Sequence, residues 1–150
     1  TPAALPVQLD LAQHAERLSH RILSFRGYVE SVGRADWSPE RKLESFRNAM
    51  SVAPRVEERR RVLGALSALS IPEALDFAAQ HVGTPELSDE AVAAVLRLSE
   101  ALHAAAPEAV RSALEKAAES ATDPQSRAAV QEQRDKLFGA GSKTAAGATG

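Results

Sequence analysis

Three pairs of an acidic residue and a histidine have the spacing of neighbours on one helix face. The pairs are Asp10 with His14, Glu16 with His20, and Glu100 with His103. A carboxylate and an imidazole can bind a metal ion or transfer a proton. Di-metal helical bundles use a Glu-x-x-His motif twice, with two further glutamates, whereas this sequence contains the motif once, at Glu100. We therefore interpret all three as solvent-exposed helix pairs and predict no metal site and no cofactor.

A run of charged residues, Glu57-Glu58-Arg59-Arg60-Arg61, is the densest charge cluster in the sequence, and Arg21 and Arg26 precede it. Within one helix, both glutamates of the run can pair with Arg61 at spacings of four and three residues. Such pairs contribute only a few tenths of a kcal/mol each. The run therefore predicts a solvated helix face, and an anion-binding site is the alternative.

The only tryptophan, Trp37, lies directly before a predicted helix start at Ser38. An exposed ring there would be available to a partner, whereas a tucked ring would act as a hydrophobic staple that fixes the entry of the chain into the helix. We favour the staple. If the chain has an interaction surface, the candidate residues are Arg21, Arg26, Trp37 and Arg60.

Motifs of nucleophilic or phosphate chemistry are missing from the sequence. Cysteine is absent, which excludes thiolate chemistry and disulfides, and no Gly-x-Ser-x-Gly elbow occurs. Residues 139–144 superficially resemble a phosphate-binding loop, but that loop needs glycine directly before its lysine, where Ser142 stands. We predict no catalytic residue, and that the chain is not an enzyme.

The charge balance limits the classes of partner. The 150 residues carry a net charge of −2 with both signs interspersed, so no global field attracts a phosphate backbone or an anionic membrane. No apolar run approaches the roughly 20 residues that span a bilayer. We predict neither a nucleic acid nor a membrane as partner. Because the chain begins at Thr1 rather than at a methionine, we expect it to be a piece of a longer protein.

The elements that would position these residues are helices, since alanine and leucine dominate and β-branched and aromatic residues are sparse. Prolines stand where the first turn of a helix tolerates them. Predicted helices cover residues 8–32, as one helix or as two broken near Leu18, and 39–53, 56–69, 72–82, 88–104, 107–121 and 124–138. Predicted N-terminal caps are Ser38, Ser70 with Glu73, Ser88 and Asp123, and Gly83 is the predicted left-handed end of a helix.

The sequence also repeats itself. Val62, Leu63, Ala68 and Leu69 match residues 33 positions later, and Val95 and Leu102 match Val130 and Leu137, 35 positions later. Pro72-Glu73-Ala74 likewise matches Pro107-Glu108-Ala109. A period in the thirties is typical of helical-hairpin repeats. We therefore predict that Leu63 and Leu96 are core residues, and that truncating either to alanine destabilises the fold by about 2 to 5 kcal/mol.

These features resemble the HEAT-like, or armadillo-like, helical repeat module of large multidomain bacterial proteins, over about residues 22–137. The residues that carry the resemblance are Arg26-Gly27-Tyr28, Phe46-Arg47-Asn48-Ala49, Val62-Leu63-Gly64-Ala65-Leu66, Pro72-Glu73-Ala74-Leu75, Glu90-Ala91-Val92-Ala93 and Pro107-Glu108. The resemblance implies an all-α fold, a right-handed α-α superhelix of stacked antiparallel hairpins. Tetratricopeptide repeats share the period but need a Trp, Tyr and Gly set in each repeat, which this sequence lacks.

The resemblance also implies a role. Such modules act as non-catalytic scaffolds or protein-protein interaction surfaces, so the expected partner is a protein, either another domain of the same chain or a separate molecule. The alternative, which the acid and histidine pairs suggest, is a domain that contributes residues to a neighbouring enzyme or metal- or haem-dependent domain. The resemblance weakly implies an extracytoplasmic location. We expect the helical domain to cover residues 1–138 and residues 139–150 to form a disordered tail or linker.

Overall fold

The computed structural model of the chain describes residues 4–14 and 17–139. Within them the fold is all-α, with eight helices and no strand, as the composition predicts. The helices are α1 (Leu5–His14), α2 (Leu18–Arg34), α3 (Pro39–Val52), α4 (Val56–Leu66), α5 (Pro72–Ala79), α6 (Ser88–Leu102), α7 (Pro107–Ser120) and α8 (Pro124–Phe138). The first predicted helix is two helices, and the second of them begins at Leu18. The predicted tail, apart from Gly139, lies outside the described residues.

Proline sets where four of the helices begin. Pro39, Pro72, Pro107 and Pro124 each occupy the first helical position, and the residue before each is the cap. Proline disfavours a helical conformation at that residue, and three of the four caps, Ser38, Ile71 and Asp123, are extended. Ser38 and Asp123 stand at that position, and their side chains accept backbone N–H groups, Ser38 Oγ from Arg41 at 3.2 Å.

Two predicted caps, Ser70 and Ser88, are wrong because the helix begins at a different residue from the one that the sequence pattern indicates. Ser70 precedes the cap by one residue, because Ile71 is directly before Pro72 and takes the extended conformation. Ser88 is the first residue inside α6 rather than its cap, because a turn from Thr84 leads straight into the helix at Leu87. The Ser88 hydroxyl is buried and has no hydrogen-bond partner in the described part of the chain.

The predicted left-handed end at Gly83 is also wrong. Among the described residues, positive φ occurs at Gly139, which ends α8 with φ 80°. After α5 the chain instead unwinds through short turns, with His81 N–H donating to Ala78 O and Val82 N–H to Ala79 O. At the end of α4, Ala68 N–H and Leu69 N–H likewise donate to the carbonyls three residues earlier. Because these hydrogen bonds are of the 3₁₀ type, α4 and α5 each end three residues before the end that the hydrophobic pattern predicts.

The helices form two rows. The even-numbered helices contact one another in succession, α2 with α4, α4 with α6 and α6 with α8. In the other row α1 contacts α3, α5 contacts α7, and side chains of α3 and α5 line a shared groove. Each of the four consecutive pairs, from α1 with α2 to α7 with α8, also packs together. The core lies between the two rows.

The sequence repeat corresponds to core positions, with one exception. Val62, Val95 and Val130 are each 0% exposed and lie on α4, α6 and α8. Leu63 is also 0% exposed, but its repeat partner Leu96 is only partly buried. The prediction that both leucines are core residues therefore holds fully only for Leu63, since Leu96 packs against the core from its edge. The Leu96 carbonyl accepts the Gln133 amide of α8 at 3.1 Å.

Charged pairs join neighbouring helices of the even-numbered row. The pairs are Arg26 with Glu58 at 3.2 Å, Arg60 with Glu90 at 3.7 Å, and Lys136 with Glu100 at 2.8 Å. Exposed pairs of this kind contribute little to stability. The first pair differs from the others because its glutamate has no solvent exposure.

The two ends of the structure differ in polarity. On α8 the outward positions include Gln131 and Glu132, which are exposed. On α1 the outward positions include Val7 and Leu11, with exposed fractions of 60% and 46%. No helix in the described part of the chain is long and apolar enough to cross a membrane.

Replacing Asp123 with alanine is expected to lower the melting temperature by on the order of 5 °C, since it removes the cap of α8. Its carboxylate accepts both the Ser126 N–H and the Ser126 hydroxyl at 2.7 Å. Thermal denaturation followed by circular dichroism measures the effect. The control is Glu132→Ala on the exposed side of the same helix, and an equal shift in both variants would contradict the assignment of the cap.

Candidate functional site

A buried carboxylate lies at the start of α4. Glu58 is 0% exposed, and its two oxygens face guanidinium groups from two helices and a loop. Arg55 donates from Nε and Nη2 to Oε1 at 2.9 and 2.6 Å, and Arg26 on α2 donates from Nε to Oε2 at 3.2 Å. Arg61 adds an ion pair at 3.9 Å. We call these four residues the Glu58 cluster.

The local sequence explains this position. The apolar stripe of α4 contains Val62, Leu63 and Leu66, and one turn earlier the same face carries Glu58. The carboxylate is therefore directed towards the neighbouring helix instead of solvent. It also lies in the first turn of the helix, where the backbone N–H groups and the helix dipole favour negative charge. Burial of an unpaired carboxylate would be costly, so the arginines are required there.

The arginines keep Glu58 ionised. Burial alone would raise the pKa of its carboxyl, but the hydrogen bonds from Arg55 and Arg26 and their positive charges outweigh burial and lower the pKa below its usual 4.5. The hydrogen bond between Arg55 and Glu58 also raises the pKa of Arg55. Glu58 therefore remains charged at neutral pH and binds its arginines as a structural anion.

Beside this cluster an open groove of about 590 Å³ runs between α2 and α4. We call it the α2–α4 groove. Its lining includes Arg26, Val29, Gly33, Arg61, Gly64 and Ala65. Arg26 and Arg61 thus belong to both the groove and the Glu58 cluster. The groove is wide at Gly33 and Gly64, since a Cβ atom built on either residue would have no other atom within 4 Å.

The charges on the groove are mostly positive. Arg34 and Glu30 also line it and pair with each other at 2.6 Å, with most of both side chains exposed. Arg26 and Arg61 direct Nε towards Glu58, and their side chains are 42% and 48% exposed. Neither makes another ion pair within the described residues. Both side chains are therefore partly exposed while they line the groove.

The four residues predicted for an interaction surface have different neighbours. Arg26 lies on the α2–α4 groove, whereas Arg60 donates to the Glu86 carbonyl at 2.7 Å, towards α6. Trp37 is half-buried against the core, and the Arg41 guanidinium lies 3.8 Å from its ring centroid. Arg21 is half-buried, with its Nε enclosed and without a hydrogen-bond partner in the described residues. Their role in binding stays a prediction.

Among the acid and histidine pairs, Glu100 and His103 both contact residues of α8. Glu100 pairs with Lys136 on α8, and the His103 ring packs edge-on against Phe138 at 5.0 Å. The side chain of His14 and all of Glu16 lie outside the described residues. No group of three or more potential metal ligands occurs among the residues that are described.

The odd-numbered row carries two smaller grooves, of about 420 and 340 Å³, between α3, α5 and α7. They share Arg47 and Glu73, and Glu40 and Glu44 border the larger one. The residues that line these two grooves are therefore mainly acidic, in contrast to those of the α2–α4 groove.

Burial lowers the pKa of His81, which follows α5, and the positive charge of Arg59 lowers it further.

The interpretation of residues 57–61 as a solvated face is wrong for Glu58. The predicted pairing with Arg61 is present for Glu58, while Glu57 lies 3.8 Å from Arg55 instead. Extending the apolar stripe of Val62 back by four residues would have revealed Glu58. Nothing in the sequence pattern marks Gly33 and Gly64 as groove residues.

The geometry supports a single arrangement, a buried glutamate that fixes two arginines at the wall of an open helix-helix groove. One wall is α2 and the other is α4, and these helices belong to different helix pairs. The groove therefore exists only when α2 packs against α4. Comparison with protein-family models, with curated proteins and with solved structures finds no match.

Proposed function

We propose that this chain is a non-catalytic scaffold, a protein-protein interaction module of HEAT-like stacked hairpins within a larger protein. Two features support the assignment of a HEAT-like stack within the all-α fold. Successive helix pairs place their second helices in one row, and Val62, Val95 and Val130 repeat at equivalent core positions along that row. Stacks of this kind present extended surfaces that bind partners.

The observation that carries the proposal is the α2–α4 groove. It is open at Gly33 and Gly64, although glycine inside a helix costs about 1 kcal/mol relative to alanine. Its floor includes the apolar Val29 and Ala65. Its walls carry Arg26, which donates a hydrogen bond to Glu58, and Arg61, which forms a longer ion pair with the same carboxylate. An apolar floor with oriented polar groups at the rim is typical of sites that bind another molecule.

The alternative, a domain that contributes residues to a neighbouring enzyme or metal- or haem-dependent domain, rested on the acid and histidine pairs. The best of these, Glu100 and His103, is engaged with Lys136 and Phe138 of α8. No contact among the described residues favours this alternative.

Filling the groove tests the scaffold proposal. Gly64→Phe is expected to abolish the binding of peptides that the native chain selects from a random-sequence peptide array, because the ring would occupy the space between α2 and α4. Gly64→Ala is the matched control, since its methyl group meets no other atom within 4 Å and leaves the groove open. Circular dichroism checks that both variants remain helical.

Two results would contradict the proposal. One is an array on which the native chain selects no peptide at all. The other is a Gly64→Phe variant that remains folded and retains the same set of peptides as Gly64→Ala, since the binding surface would then lie elsewhere on the molecule.

A further inference from the structure

We infer that the occupant of the α2–α4 groove is an acidic segment of a partner protein, with a carboxylate bound between Arg26 and Arg61. The inference rests on the proposed function, because it names the partner chemistry of the same groove. It starts from the way in which the Glu58 cluster uses its arginines.

Glu58 contacts only the Nε atoms of Arg26 and Arg61, the two groove residues that belong to the Glu58 cluster. Arg26 donates from Nε to Oε2 at 3.2 Å, and the Nε of Arg61 lies 3.9 Å from the same oxygen. A guanidinium has five N–H donors in a planar fork, so the Nη groups of both residues remain available. Both arginines line the groove, and their side chains are partly exposed there.

This arrangement lowers the cost of binding an anion. An arginine side chain loses considerable rotamer freedom when it is fixed by a ligand, but the hydrogen bond to Glu58 restrains Arg26 before any ligand arrives, and the longer ion pair orients Arg61 more weakly. Arg55 already donates two hydrogen bonds to Glu58, so the buried charge does not depend on Arg26 and Arg61 alone. A guanidinium fork matches a carboxylate in shape and charge.

The surroundings favour a protein segment over a polyanion such as nucleic acid. Glu30 lies on the groove itself and Glu57 follows Arg55, with exposed fractions of 60% and 54%. These carboxylates would repel a continuous row of phosphates. Val29 and Ala65 on the floor suit apolar side chains. A segment with one or two acidic residues beside small apolar residues fits both features.

Fluorescence anisotropy with labelled peptides of about twelve residues tests the inference. The probes are a glutamate-containing peptide and its counterparts with glutamine or lysine at the same positions, together with a random DNA duplex. We expect the glutamate peptide to bind at least tenfold more tightly than the glutamine peptide, and raising the salt from about 50 to about 500 mM to weaken it.

Two substitutions on α4 provide the matched comparison. Arg61→Gln and Arg59→Gln change the net charge equally, but Arg61 lines the groove while the charge of Arg59 acts on His81, on the side of α5. Arg61→Gln is expected to weaken the glutamate peptide by roughly tenfold and Arg59→Gln by less than about twofold. Arg61→Lys, which keeps the charge but loses the fork, is expected to bind with intermediate affinity. Since Arg61 makes one ion pair, at 3.9 Å, we expect all three variants to fold.

The outcomes separate the inference from the proposed function. Equal affinity for the three peptides, preference for the lysine peptide or the duplex, or equal losses in Arg61→Gln and Arg59→Gln would each overturn the acidic partner. If a non-acidic peptide binds and Gly64→Phe abolishes its binding, the groove remains the binding site and only the inference fails. Absence of any peptide binding would overturn both.

Discussion

Replacing Leu63 with alanine is expected to lower the free energy of unfolding by about 2 to 5 kcal/mol, as found for truncated core leucines. Leu63 is 0% exposed on α4, the helix that contacts both α2 and α6. The truncation therefore leaves a cavity in the core beside a helix that packs against two neighbours in the even-numbered row. Urea denaturation followed by circular dichroism measures the change.

Two further leucines calibrate this result. Leu96 is the repeat partner of Leu63 but is partly exposed, so Leu96→Ala is expected to cost only about 1 to 2 kcal/mol. Leu23 on α2 is 66% exposed, and Leu23→Ala is expected to stay within about 0.5 kcal/mol of the native chain. Equal costs for Leu63→Ala and Leu23→Ala would mean that the packing of α4 described above is incorrect.

Replacing Glu58 with glutamine is expected to lower the free energy of unfolding by about 2 kcal/mol at pH 7. Glutamine keeps the shape but loses the charge that the arginines surround. The cost is smaller than for a fully buried ion pair, because the side chains of Arg26, Arg55 and Arg61 are 42%, 37% and 48% exposed and can be hydrated. Glu57→Gln changes the net charge equally at an exposed position and is expected to have little effect.

The pH dependence gives an independent check. The pKa of Glu58 is lower in the folded chain than its usual 4.5, so the folded state binds this proton less readily than the unfolded state does. Its stabilisation is therefore complete above pH 4.5 and is lost as the pH falls through the folded value. The difference in stability between the native chain and Glu58→Gln should shrink towards pH 3. A constant difference would contradict the ionised cluster.

Helix starts show how far the sequence alone could reach. Where a capping residue stands directly before a proline, as with Ser38 and Asp123, the predicted start and cap are both confirmed. Where one residue intervenes, as with Ser70, the start is correct and the cap is wrong. The local rule is that proline holds its own predecessor extended, and this rule could have been applied from the sequence.

The groove could not be predicted in the same way. Local patterns placed Arg26 and Arg61 on separate helices, but their meeting at Glu58 depends on how α2 packs against α4. Helical spacing could have indicated that Glu58 shares the core face with Val62. The open space at Gly33 and Gly64 depends on the distance between α2 and α4. This distance cannot be derived from the spacing of residues within either helix.

The most direct test of the account is a titration of the isotope-labelled chain with the glutamate-containing peptide, followed by amide chemical shifts in two-dimensional NMR. We predict shifts concentrated at Gly33, Gly64 and Ala65, which line the α2–α4 groove, with little change at Glu44 and Glu73 in the odd-numbered row. Shifts concentrated at Glu44 and Glu73, or a spectrum that the peptide leaves unchanged, would contradict the central claim that this groove binds the partner.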